Sequence, residues 1–149
     1  RKLDVLQELV DDETVTEIMV NGPDTIFVER GGKLIRWHKS FTSAEKLEDV
    51  IQQIVGKCNR VIYMELIKRK ICIHMKNGDV LSIPYKSFRE IMEEANYEKF
   101  VQCSRNCVIN IDYIKNIDKT NRFITLEGTK TAVEMGGTFI KKVVGVLGL

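Results

Sequence analysis

The segment from Phe100 to Ile114 is a β-rich apolar run broken in its first half by Arg105 and Asn106. Those two side chains can do chemistry that an apolar strand cannot. An arginine donates two parallel hydrogen bonds to guanine O6 and N7, an asparagine pairs twice with adenine N6 and N7, and each bidentate contact is worth roughly 1–3 kcal/mol of base discrimination. The competing use of Arg105 is a salt bridge to an acid such as Asp112. On side-chain chemistry alone the pair is suited to reading base edges.

Other residues that could carry chemistry lack the company they would need. The cysteines Cys58, Cys72, Cys103 and Cys107 have no Cys-x-x-Cys spacing, and neither His38 nor His74 has a second histidine at ligand spacing, so no metal site is expected. On one continuous strand Cys103 and Cys107 would lie roughly 13 Å apart at ~3.3 Å per residue, beyond the ~7 Å reach of a disulfide. Reduced, partly buried thiols are expected. His74 beside Cys72 suggests a nucleophile and base, but no orienting group or oxyanion donor accompanies them. Asp11-Asp12 and Glu93-Glu94 are sequence neighbours, which face apart on a helix and read as surface. Gly128-Thr129-Lys130-Thr131 lacks the upstream glycine with which a phosphate-binding loop begins. The expectation is a chain with no catalytic residues, no cofactor and no small-molecule substrate.

The elements that would position Arg105 and Asn106 fall into two groups. Residues Leu3 to Asp11 place Leu3, Leu6, Leu9 and Val10 on one helical stripe. Val15 to Val20, Thr25 to Glu29 and Lys33 to Trp37 read as strands, separated by the turn cluster Asn21-Gly22-Pro23-Asp24 and by Gly31-Gly32. A helix then starts at Thr42-Ser43, carries Leu47, Val50, Ile51, Ile54 and Val55, and ends at Gly56. Beyond Arg60 the pattern is almost pure β. Val61 to Glu65, Lys70 to Lys76 and Asp79 to Ile83 are strands, with Asn77-Gly78 as a hairpin signal. Ser87 caps a short helix bearing Phe88, Ile91 and Met92 that stops at Asn96-Tyr97. Phe100 to Asn110, Phe123 to Glu127 and Thr131 to Met135 follow as strands, Lys119 to Arg122 as a turn, and Thr138 to Val146 as a final helix.

A chain of 149 residues accommodates one domain or two small ones, and the change of pattern favours two, 1–60 and 61–149. The formal net charge of +2 hides an asymmetry. Residues 1–60 carry 9 Lys/Arg against 11 Asp/Glu, and residues 61–149 carry 14 against 10, so the basic excess sits with Arg105. No apolar run approaches the ~20 residues that cross a bilayer, and a cytoplasmic protein is expected. The chain opens on a helical pattern at Arg1 without an initiator Met, as a piece of a longer protein would. No Gly- or Pro-rich spacer separates the halves, which implies a junction that is either rigid or artificial.

Two resemblances emerge from these motifs. Val15 to Leu34, which includes Asn21-Gly22-Pro23-Asp24, resembles the N-terminal domain of pilus-assembly type II/IV secretion ATPases, and the likeness spans Leu3 to Arg60. It implies a small helix, three-strand, helix domain and an assembly role, without the motor core. The run Ser104-Arg105-Asn106-Cys107-Val108-Ile109-Asn110, with Ile62-Tyr63-Met64-Glu65 before it and Ile114-Lys115-Asn116-Ile117-Asp118 after it, resembles the LytTR DNA-binding domain from Val61 to about Val144. The combined expectation is an α+β chain whose second, mostly β part has short helices. The LytTR likeness implies a sequence-specific transcriptional regulator of the response-regulator kind, reading duplex DNA through loops as a homodimer. The competing reading is an interaction module of a secretion motor.

The LytTR resemblance also assigns residues. It places base contacts at Arg69, Arg105, Asn106 and Thr138, and phosphate contacts at Lys68, Lys70, Arg122, Lys141 and Lys142. Without it, Lys68 to Lys70 would read as a solvated hairpin tip, and Lys141-Lys142 as cations complementing a helix C-terminal half. Asn110 would fix a turn or strand end. Where the family tends to carry Ser-Arg-Arg, this chain has Gly136-Gly137-Thr138, so an arginine pair is missing.

Overall fold

The computed structural model describes residues 3–57, 59–76, 78–95 and 98–148. The expectations for Arg1, Cys58, Asn77, Asn96 and Tyr97 lie outside the described residues. From the N-terminus, a 3-10 turn at Asp4–Leu6 leads into a single helical turn, α1 (Gln7–Val10), which buries Leu9 and Val10. Strands β1 (Val15–Val20), β2 (Ile26–Arg30) and β3 (Lys33–Arg36) follow. Helix α2 (Ala44–Lys57) starts where the Ser43 hydroxyl accepts the Lys46 amide at 3.2 Å, and its stripe from Leu47 to Val55 is buried. Strands β4 (Val61–Ile67), β5 (Lys70–Met75) and β6 (Val80–Pro84) precede helix α3 (Phe88–Ala95), whose first turn is capped by Ser87 Oγ accepting from the Glu90 amide at 3.1 Å. The chain continues as β7 (Phe100–Ser104), β8 (Cys107–Asn110), β9 (Ile114–Asp118), β10 (Phe123–Leu126), β11 (Ala132–Glu134) and helix α4 (Ile140–Val146).

The strands form two sheets. One has eight strands in the order β3-β2-β1-β6-β5-β4-β8-β7, and the other three, β11-β10-β9. Among the described residues, only the β1–β6 pairing joins the first three strands to the rest of the sheet, and it is parallel, with Ile18 opposite Leu81. Strand β4 has apolar side chains on both faces. Val61 and Met64 belong to a core with α1, α2 and α3, while Ile62 and Tyr63 belong to a second core with the small sheet and α4. That two-sided burial explains why β4 reads as a continuous apolar run rather than an alternating one. The first core includes both Leu6 and Val108, so the sheet and its packing run across residue 60.

Several sequence expectations change. Phe100 to Asn110 is not one strand, because Arg105 and Asn106 turn the chain back on itself between β7 and β8. Cys103 and Cys107 therefore face each other across a hairpin, with Cys103 Sγ 3.6 Å from the Cys107 carbonyl oxygen, and the single-strand separation does not apply. The Cys107 thiol is pushed up by its hydrogen bond to Cys103 and by burial, which keeps it protonated. Ile114 to Asp118 is an additional strand, pairing with β10. The last helix starts at Ile140 rather than Thr138, so Lys141 and Lys142 lie in its first turn and not in its C-terminal half. There they oppose the helix dipole, and helix stability does not account for them.

Candidate nucleic-acid interface

Strand directions gather Lys68, Arg69, Lys70, Arg105 and Asn106 at one end of the eight-stranded sheet. Strand β8 is antiparallel to both β4 and β7, so β4 and β7 run the same way and the hairpin tips at 68–69 and 105–106 emerge together. A backbone hydrogen bond from the Leu66 amide to the Asn106 carbonyl, 2.8 Å, ties the base of one tip to the other. With strands ~4.8 Å apart, the two tips are centred about 10 Å from each other along the sheet end.

Lys68 and Arg69 form a two-residue turn with φ of 49° and 64°. A tight hairpin needs this left-handed pair to match strand twist, and Asn-Gly usually supplies it. Here two cations hold it instead, at a cost of roughly 1–2 kcal/mol per residue. Both are exposed. Lys70, at the start of β5, points its ammonium at Asn21 Oδ1 in the turn that follows β1, a turn at the same end of the sheet.

Arg105 and Asn106 are exposed, and the Asn106 amide donates to Ser104 Oγ at 3.3 Å. Asp112, the acid that could have held Arg105, pairs with Lys99 at 3.3 Å, and Arg105 has no ion pair among the described residues. Gln102, in β7 below the tip, donates from Nε2 to the Ser104 carbonyl at 2.9 Å.

The loop before α4 is drawn to the same place. The Gly136 amide donates to the Cys103 carbonyl at 2.9 Å, and a Cβ on Gly136 would sit 3.0 Å from the Phe139 ring and 3.6 Å from Ser104 Cα. Arg122 has φ of 62° and its carbonyl accepts from the Met135 amide at 2.7 Å. Its guanidinium lies over Gly137, where a Cβ would meet Nη1 at 3.0 Å. The glycines at the position of the missing arginine pair thus admit a close backbone approach and leave room for Arg122. The turn before Arg122 is fixed by Asp118, which accepts from the Asn121 amide at 3.0 Å and side chain at 2.8 Å. Those bonds hold the Asp118 carboxyl below its ordinary value. Thr138 is exposed in the turn preceding α4.

Four non-glycine residues among those described have positive φ, namely Asp4, Lys68, Arg69 and Arg122. Three of the four are cations, Lys68 and Arg69 at the first tip and Arg122 in the turn that folds against Gly137. Sequence reasoning missed Arg89 in the first turn of α3, which lines a groove with Arg105. A cation in a helix's first turn was its legible signal.

Elsewhere the chemistry-bearing residues have partners. His74 Nε2 lies 2.8 Å from Glu65 Oε1, and its ring stacks on Tyr63 at 4.1 Å, while Cys72 Sγ contacts Ser82 Oγ at 3.5 Å. Burial and the Glu65 carboxylate push the Tyr63 hydroxyl up to about 12. Asn110 is fully buried, donating to the Val61 carbonyl at 3.0 Å and accepting from the Asp112 amide at 3.0 Å, which anchors the end of β8.

Exposed cations in left-handed turn geometry and an exposed Arg-Asn pair on neighbouring hairpin tips at one sheet end are suited to a nucleic-acid surface. The family model described as the LytTr DNA-binding domain matches residues 52–148, and the chain belongs to that family. Among solved structures, the LytTr DNA-binding domain of a methyl-accepting/DNA response regulator from Bacillus cereus is similar in fold. It aligns at 16% identity with a TM-score of 0.50, covering 86% of this chain and 100% of that one. No curated protein matches this sequence. The family match begins inside α2, so β1 to β3 lie N-terminal to it. Neither finding supports the resemblance of residues 3–60 to a secretion ATPase.

Proposed function

We propose that this chain is the output domain of a transcriptional regulator, working in the cytoplasm as a homodimer, that reads two successive major grooves. Arg69, Arg105, Asn106 and Thr138 contact base edges, while Lys68, Lys70, Arg122, Lys141 and Lys142 neutralise phosphates. The observation that carries the reading is the placement of the 68–69 and 105–106 tips side by side, about 10 Å apart, against a major groove about 12 Å wide. Residues 1–60 and 61–149 are two sequence units, and the first serves to extend and buttress the sheet of the second. The shared core favours that role over an assembly module of a secretion motor.

The test is duplex binding against salt concentration, with a selected site and a scrambled duplex. A specific reader with several phosphate contacts loses affinity for both as salt rises, at ~0.9 log units per log unit of salt for each phosphate neutralised, and keeps its preference for the selected site. Failure to shift any duplex at low salt would sink this function.

A further inference from the structure

We propose that Arg89, with Lys142 across Gln102, forms a phosphate-binding track beside the Arg105 tip, extending the DNA contact onto α3. The proposal rests on the DNA-binding reading of the sheet end.

Strand β6 is antiparallel to β5 and so runs parallel to β4, which places its C-terminal end, and the start of α3 just after it, at the end where the tips emerge. Arg89 lines one groove with Gln102, Arg105, Tyr85 and Lys86, and a second with Gln102, Met92, Glu93 and Lys142. The two grooves meet at Arg89 and Gln102, so a continuous surface leads from the reading tip to α4. Gln102 is held by its bond to the Ser104 carbonyl and gives the track a fixed floor.

Stability does not explain Arg89. Its side chain is 88% exposed and therefore adds little packing. It occupies the first turn of α3, where the helix dipole disfavours a cation, as it does for Lys142 in α4. Its bond to Glu93 Oε1, 3.1 Å, is an exposed i,i+4 pair in the order cation then acid, the weaker of the two orientations. A side chain that opposes its own helix, and whose one ion pair among the described residues is with an exposed acid, is readily given up to a phosphate. Guanidinium is also the group that matches phosphate oxygens bidentately.

The experiment measures affinity for a selected site and for a scrambled duplex as a function of salt, with thermal melts as a folding control. Arg89→Ala is expected to weaken both duplexes alike, to lower the salt slope by about 0.9, and to leave the preference between them intact. Glu93→Gln frees Arg89 and is expected to tighten both duplexes without altering the preference. A wild-type salt slope in Arg89→Ala, or a preference lost along with affinity, overturns the track. If Arg105→Ala relaxes preference while Arg89→Ala binds as wild type, only the track fails. If the unsubstituted chain binds no duplex, the underlying function fails and the track with it.

Discussion

At the scale of single residues, the division of labour follows from what each cation touches. Arg105 extends from a hairpin tip with no ion pair among the described residues, while Arg122 is folded back over Gly137. Arg105→Ala should therefore lose about 1–3 kcal/mol at one base pair and relax preference there. Arg122→Ala should weaken every duplex alike and lower the salt slope by about 0.9. Binding of a set of single-base site variants checks both, and equal effects from the two substitutions would contradict the assignment. A second residue-scale prediction concerns Glu17 and Glu29, which lie directly opposite each other on β1 and β2. Burial, a hydrogen bond between the two carboxyls and their mutual repulsion raise the Glu17 carboxyl above its ordinary 4.5. A raised folded-state value contributes stability that is complete below 4.5 and is lost as pH rises through the folded value, so at neutral pH the pair is a liability. Glu17→Gln should raise the thermal midpoint at pH 7, with the advantage closing as pH falls through the raised folded-state value and gone below 4.5, as melts across that range would reveal.

At the scale of elements, the 68–69 tip is legible as a turn because its flanking strands are apolar and β-branched, whereas the sequence reads 105–106 as the interior of one strand. What sequence could not supply was which turns share an end, since that depends on strand order and direction. The Lys70 contact with Asn21 joins the tip of β4 and β5 to the turn after β1, two strands away. If Asn21 holds Lys70 as a brace, Asn21→Ala should reduce affinity severalfold with the salt slope unchanged, because no phosphate contact is lost. If Lys70 leaves Asn21 for a phosphate on binding, Lys70→Ala should lower the slope by about 0.9 while Asn21→Ala does not weaken binding. Salt titration of the two variants separates these outcomes.

At the scale of the whole molecule, one sheet and one core link residues from Leu3 to Val108. The three N-terminal strands attach through a single parallel pairing, yet Ile18 at that seam is 1% exposed and packs in the shared core. Ile18→Ala should cost about 2–5 kcal/mol. It should also lower the midpoints of Trp37 fluorescence and of far-UV circular dichroism together, since a shared core unfolds cooperatively. Separate transitions for the two probes would instead support two independent domains, 1–60 and 61–149.

Much of this protein was determined locally. Binary pattern and turn chemistry place most of the strands and the helix stripes, because alternation, β-branching and caps act over a few residues. The capacity of an arginine and an asparagine such as Arg105 and Asn106 to pair with base edges is likewise a property of the side chains themselves. Tertiary structure decided the remainder, for reasons that are non-local. Arg105 and Asn106 proved to be a turn because β4 pairs with β8 and draws the chain back. Cys103 met Cys107 for the same reason, and Arg89 came beside Arg105 because β6 and β7 deliver α3 and the tip to one end. Side-chain type sets which contacts are possible, and the order and direction of strands set which of them can meet a single ligand.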